Sequence, residues 1–408
     1  MSARRRHVRG RGFTLVELMV ALSGGLFLSM VVFTLARDSN RFYQQQTRLA
    51  NATLSGIVGF DRLRADIARA GFLTTPNIMA DPHVCTQPTA QSPARLQVLR
   101  SLWLTVPTAA VSTTLEANGI RPMTLDLAGA YTSSDEFPIR TVSTNGTVTS
   151  VFLQVNTGPM ARLGYSPTAT LDQQNTLLSS VFGVNRILRL VDKSGSQHYG
   201  VIQSVTGGDQ PVITLLDATQ ALTFRAAGGT CGLKGLEVGA TANVVNLIRY
   251  EVRSVSADAD YAPLFNADAG TVGPFDNDRT ELVRVERDAD GTPIAGTLEL
   301  VAEYAVDFQL SFTAWNNGVL TTIAPDNTNF ATYFPTSETS PANVQWLRAL
   351  RARLSGRSRE ADRGSDVDTS LSGLYRIGLG PSGTAPFARV RTFQADIALH
   401  NHGRTQWQ

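Results

Sequence analysis

Two cysteines, Cys85 and Cys231, are all that the 408 residues contain, so the spaced ligand sets of structural zinc sites are excluded. Proline is absent before Pro76, which leaves the preceding chain free to form uninterrupted helix. Charge is sparse, at 17% of residues, and from Leu18 to Ala36 there is none. The first twelve residues contain no acid, yet hold Arg4, Arg5, Arg6, Arg9 and Arg11. The formal net charge of +2 therefore misleads: without those five arginines the remainder carries −3. A nearly neutral remainder has no nucleic-acid footprint, and no nucleic-acid partner is expected. No internal repeat is visible. No Gly-Lys-Ser/Thr follows Gly228-Gly229, and no nucleophile elbow occurs, so phosphate-loop and serine-hydrolase chemistry lack their motifs. A hydrophobic fraction of 42% is that of a folded chain, long enough for one large or two ordinary domains beside a helix.

What is present is concentrated at the N-terminus. The uncharged run from Leu18 to Ala36 has the length that spans roughly 30 Å of hydrocarbon at about 1.5 Å per residue. The arginines before it would stay in the cytoplasm, placing the bulk of the chain outside. Glu17 stands at the head of this run, where a carboxylate is expensive and marks function. A secretory signal cut after Ala36 and an uncleaved anchor both explain the run, but neither explains the block around Glu17. Beyond the run, Phe42, Leu49, Leu54, Ile57, Phe60, Leu63 and Ile67 recur mostly three or four apart, which predicts an amphipathic continuation of one helix. Gly56 and Gly59 are expected as its weak points, Gly24-Gly25 as a flexible pair or a close helix contact, and Gly71 as its stop.

The block Arg11-Gly12-Phe13-Thr14-Leu15-Val16-Glu17-Leu18-Met19-Val20 resembles the processing signature of type IV prepilins and of the related pseudopilins of type II secretion. The resemblance implies cleavage between Gly12 and Phe13 by a prepilin peptidase and N-methylation of Phe13. It also implies a helix-assembly role for Glu17, whose carboxylate would pair with the new α-amino group of a neighbouring subunit and set the axial register. Asp61 to Phe72, Glu299 to Leu310, Val344 to Arg353 and Arg389 to Asn401 are similar to parts of PilW-type minor pilins, whereas the stretch from about 90 to 290 resembles nothing recognised. The implied function is that of a minor pilin that primes fibre assembly, near the pilus tip, with no enzymatic activity and no cofactor. Its partners would be other minor pilins, the major pilin, the assembly platform and inner-membrane lipid. The alternatives are a minor pseudopilin of type II secretion and a membrane-anchored periplasmic adhesin or binding protein.

After residue 72 the composition turns to Thr, Val, Ser, Gly and Pro. Strands are predicted over 95–106, 148–155, 185–192, 200–205, 210–216, 244–254, 281–286, 305–313, 346–354 and 389–399, with turns at Asn145-Gly146 and Gly207-Gly208. The expected class is α+β, a long N-terminal helix packed in pilin-like fashion on a large antiparallel β-rich head. The expected segments are a leader over 1–12, the membrane half of the helix over 13–36, its amphipathic half over 37–72, an enlarged β region over 73–290 and a C-terminal β region over 291–408.

Cys85 and Cys231 both follow the apolar run and share a compartment. If it is the periplasm, a bridge is permitted and would stabilise the fold by about 4–5 kcal/mol; two separate buried thiols is the other reading. His400-Asn401-His402 is expected as exposed histidines beside a strand end. Asp276-Asn277-Asp278 and Asp288-Ala289-Asp290-Gly291 lack the spaced ligands of a calcium loop and are expected as solvated turns. Arg348, Arg351, Arg353, Arg357 and Arg359 form a basic stretch, expected as a solvated edge strand with Arg351 and Arg353 on one face.

Overall fold

The computed structural model describes residues 14–85, 88, 92–145, 148–216, 239–262, 279–316, 318–358, 375–377 and 387–402. Helix α1 runs Leu15–Ala68, 54 residues without a break, as the absence of proline allows. The chain divides into two compact units, Met1–Asn51 and Ala52–Gln408. In the first, Leu15–Asn40 has a mean hydropathy of 2.2 over its most apolar part, and none of that part is buried. It is long and apolar enough to cross a membrane.

In the second unit the last turns of α1 are a packing element. Gly56, Gly59, Phe60, Leu63, Asp66 and Ile67 are buried, three and four apart, forming one stripe. Phe60, Leu63 and Ile67 are buried as the apolar spacing predicts, but Leu54 and Ile57, expected on the same face, are exposed. Gly56 and Gly59 set the contact face instead, because small residues let the helix approach closely. A Cβ at Gly59 would collide with the Val301 carbonyl, and one at Gly56 with the Phe393 ring. The helix ends where expected. Gly71 takes a φ of +77°, and its N–H donates to the Ala128 carbonyl at 2.9 Å.

The elements that follow are α2 (Ala94–Gln97), β1 (Leu102–Thr105), α3 (Thr113–Ala117), β2 (Thr124–Gly129), β3 (Phe137–Asn145), β4 (Val148–Leu153), α4 (Gly158–Leu163), α5 (Leu171–Val181), β5 (Ile187–Val191), β6 (Gln197–Thr206), β7 (Val212–Leu215), β8 (Thr241–Arg253), β9 (Glu281–Arg287) and β10 (Glu299–Ala302). The C-terminal part adds β11 (Ala305–Asn316), β12 (Val319–Ile323), α6 (Phe330–Tyr333), β13 (Leu347–Arg357), β14 (Tyr375–Arg376), β15 (Phe387–Ala388) and β16 (Val390–Ala398). An apolar N-terminal helix with a large antiparallel β-rich body makes the chain α+β.

Strand β8 organises the body. Its first residues pair with β3 on one side and β5 on the other, and its later residues with β2 and β9. The order β8-β3-β4-β7-β6-β5 returns to β8 and closes a six-stranded antiparallel ring. Phe137, Val151, Leu188, Ile202 and Ile213 fill its core with Leu178 and Phe182 from the end of α5. Helix α5 is not in the sequence-based expectation, although Thr170 and Gln173 form its capping box. The open part of the sheet, β1-β2-β8-β9-β10, puts Leu102, Leu125, Leu127, Ile248 and Tyr250 into a second core with Phe60, Leu63 and Ile67 of α1. The sheet β12-β11-β13-β16 completes that core with Phe308, Leu310, Phe312, Leu350 and Leu354.

Two local expectations are corrected. The stretch 95–106 is not one strand, because α2 occupies its start. Strand β13 is not an edge: it lies between β11 and β16, where Arg351 pairs with Asp396 at 2.7 and 3.0 Å and Arg353 with Asp307 at 2.9 Å. Cross-strand acids thus neutralise the exposed arginines. Arg357 is buried, with its guanidinium 4.9 Å from the Tyr304 ring centre. Arg359 lies outside the described residues.

Candidate functional site

Gly12 and Phe13 lie outside the described residues; Thr14 is the first within them. Glu17 sits in the first turn of α1, and its Oε2 accepts from the Thr14 N–H and hydroxyl, both at 3.0 Å. The Thr14 Oγ1 accepts in turn from the Glu17 N–H at 3.2 Å. This reciprocal pair is a capping box, and its sequence signal, Thr-x-x-Glu before an apolar run, was legible at Thr14 without a structure. Within the apolar stretch, Ser23 and Thr34 donate their hydroxyls to the Val20 and Val31 carbonyls at 3.0 and 2.8 Å. Such internal bonds satisfy polar groups that a hydrocarbon environment would leave unmet. A Cβ at Gly24 or Gly25 would meet nothing within 4 Å.

The other end of α1 is fastened by a buried carboxylate. Asp66 Oδ2 accepts from the Tyr250 hydroxyl and from Arg284 Nε, each at 2.8 Å. Arg284 also donates to Glu299 at 3.2 Å, and the Tyr131 hydroxyl donates to the Asp66 carbonyl at 2.9 Å. Register explains the convergence: Tyr250 of β8 and Arg284 of β9 are direct partners on the face that packs on α1. Burial works against the Arg284 charge, but the Asp66 carboxylate outweighs it and holds the guanidinium above its ordinary value. Burial and the same carboxylate push the Tyr250 hydroxyl well up, so it stays a donor. An acid on the buried stripe of a helix was the signal for this group, since a buried charge needs a partner from elsewhere in the chain.

His400 is exposed as expected, but His402 is fully buried. Its Nδ1 lies 3.2 Å from the Val344 carbonyl and its Nε2 2.7 Å from Ser101 Oγ. A carbonyl only accepts, so Nδ1 carries the proton and the Ser101 hydroxyl donates to Nε2. Burial pushes the His402 pKa down to about 4. The pair looks like half of a serine nucleophile–base arrangement, yet Ser101 is fully buried, and the third group is a carbonyl rather than a carboxylate. The pair fastens the C-terminal turn to the start of β1, and Asn401, donating to the Ala70 carbonyl at 3.0 Å, fastens it to the segment that ends α1.

Asp288-Ala289-Asp290-Gly291 is a turn in which Asp288 Oδ1 accepts from the Asp290 and Thr292 N–H groups at 3.0 and 2.7 Å. Among the described residues no group of three or more His, Cys, Asp or Glu is placed to hold a metal ion. Asp276-Asn277-Asp278 and Gly228-Gly229 lie outside the described residues. Cys85 is disulfide-bonded, and its N–H donates to the Gln197 carbonyl at 2.9 Å; Cys231 lies outside the described residues. No family model, no curated protein and no solved structure matches the chain.

Proposed function

We propose that the chain is a minor pilin: a single-pass inner-membrane protein whose body faces the periplasm, and which enters the initiating complex of a type IV pilus. The observation that carries this reading is Glu17 in the first turn of a 54-residue helix whose N-terminal stretch has the length and hydropathy of a membrane span. The cap alone would serve any anchor helix; what favours a fibre subunit is that this carboxylate also stands at a fixed offset from the Gly12-Phe13 block. In the fibre reading, prepilin peptidase cuts after Gly12 and methylates Phe13. The Glu17 carboxylate, pre-oriented by Thr14, then accepts the α-amino group of a neighbouring pilin and fixes the axial register of two otherwise featureless apolar helices. The large body selects the partners, which are other minor pilins, the major pilin and the assembly platform. Periplasmic exposure also suits the disulfide at Cys85, with Cys231 as the only other cysteine in the chain.

Mass spectrometry of the N-terminal peptide from the native host tests the reading. The expected peptide begins at N-methylated Phe13. An intact Met1, or a terminus just after Ala36, overturns it.

A further inference from the structure

The face of the open sheet turned away from α1 carries a concentration of arginine. Along β2 and β8 the residues alternate, so Leu125, Leu127 and Tyr250 face the helix while Asp126 and Arg249 face the other way. On that side lies a small cleft, partly open to solvent, lined among others by Arg95, Arg100, Trp103, Asp126, Arg287 and Glu338. Its two acids are already engaged. Asp126 accepts two bonds from Arg249, both at 2.7 Å, and Glu338 accepts from Arg95 Nη1 at 2.6 Å. Glu251, also near Arg287, lies 3.4 Å from Arg253.

Arg100 and Arg287 are left short of acceptors. Arg100 is only 7% exposed. Its Nη2 donates to the Ser340 carbonyl at 2.7 Å and its guanidinium lies 4.4 Å from the Trp103 ring centre, but Nε and Nη1 are buried with no hydrogen-bond partner. Arg287 Nη1 is likewise without one; the nearest carboxylate oxygen, of Asp126, is 3.7 Å away. Burial pushes Arg100 down to about 10, against the pull of Glu338. Burial and then the Arg249 charge push Arg287 down as well. A guanidinium does not shed its proton at physiological pH, so it cannot escape this cost by neutralising. Water in the cleft would accept the N–H bonds but would leave the excess positive charge in place. An anion answers both deficits.

We propose that this cleft is a binding site for a small oxyanion, a phosphate or a carboxylate, held by Arg100 and Arg287 beside the Trp103 ring. The inference does not depend on the role of α1. Isothermal titration of the full-length protein in detergent, at low ionic strength, with sodium phosphate and separately with sodium acetate, tests it. Saturable one-to-one binding is expected. Stronger binding of phosphate would assign a tetrahedral oxyanion, and stronger binding of acetate a carboxylate. Arg100→Gln and Arg287→Gln are each expected to weaken binding about tenfold or more, while Arg162→Gln, at an exposed pair with Asp135, leaves it unchanged. Near-UV circular dichroism confirms that the variants are folded, and Arg287→Lys, which keeps the charge, should retain part of the affinity. The proposal is overturned if neither anion binds saturably, or if the folded Arg100→Gln and Arg287→Gln proteins bind as the parent does.

Discussion

At neutral pH the buried His402 imidazole is uncharged, and the direction of its pH dependence follows from that. Its folded value of about 4 lies below the ordinary 6.5, so between these values the unfolded chain binds more protons. Stability from this residue is therefore complete above pH 6.5 and is lost as pH falls toward 4, by about 3 kcal/mol in total. Glu281 acts in the opposite sense. Burial raises its carboxyl to about 6 despite the neighbouring Arg279, from an ordinary 4.5. The folded state then holds the proton more tightly, and acidification from pH 6 to 4.5 stabilises it by about 2 kcal/mol. Denaturant unfolding across pH 6.5 to 4.5 should accordingly show a steeper loss of stability on acidification for Glu281→Gln than for the parent chain. His402→Gln should show a shallower loss or a gain. Equal slopes in all three would refute the assignment. The sequence shows both residues but neither environment: His400 and His402 are two positions apart, and only the packing around Ser101 and Val344 makes one of them buried.

Helix α1 is where element-level reasoning succeeded and then failed. Its existence and its end at Gly71 followed from the missing proline and the apolar spacing, which are local properties. Its buried stripe followed at Phe60, Leu63 and Ile67 but not further upstream, because Gly56 and Gly59 look like defects until β10 and β16 are set against them. Propensity alone predicts that Gly→Ala stabilises a helix by about 1 kcal/mol. The packing predicts the reverse at Gly59, where the obstacle is a backbone carbonyl: Gly59→Ala should destabilise by about 1–3 kcal/mol in thermal unfolding. Gly56→Ala should cost less, since a Phe393 ring can turn aside. A stabilised Gly59→Ala protein would contradict the close approach. At the same interface Asp66→Ala leaves Arg284 buried without its main partner and should cost about 3–5 kcal/mol. Tyr250→Phe, which removes one donor from Asp66, should cost about 1–2 kcal/mol. The two losses should not add in the double variant if the three groups act as one network. Most of the longer strands were legible from runs of β-branched residues and turn pairs, whereas β2, β3, β10, β12, β14, β15 and α5 were not, because their sequences are short or mixed.

For the whole molecule, Thr14 and Glu17 allow the local and the intermolecular roles of the N-terminus to be separated. Thr14→Ala removes the cap, worth about 1 kcal/mol of helix stability, but keeps the carboxylate. Glu17→Leu removes both. If Glu17 locks register between subunits, Glu17→Leu should insert in the membrane normally yet be sharply reduced in sheared pili, while Thr14→Ala is incorporated at near parental levels; equal loss in both would reduce Glu17 to a cap. The N-terminal block, the membrane-length run, the α+β class and the end of the long helix were determined by the sequence itself, because each depends on residues close together along the chain. The tertiary structure alone decided that β8 joins a closed ring to an open sheet, that Asp66 meets Arg284 and Tyr250, and that Arg100 and Arg287 line one cleft. Those groups lie tens to hundreds of residues apart, and what brings them together is strand register, which no local pattern encodes.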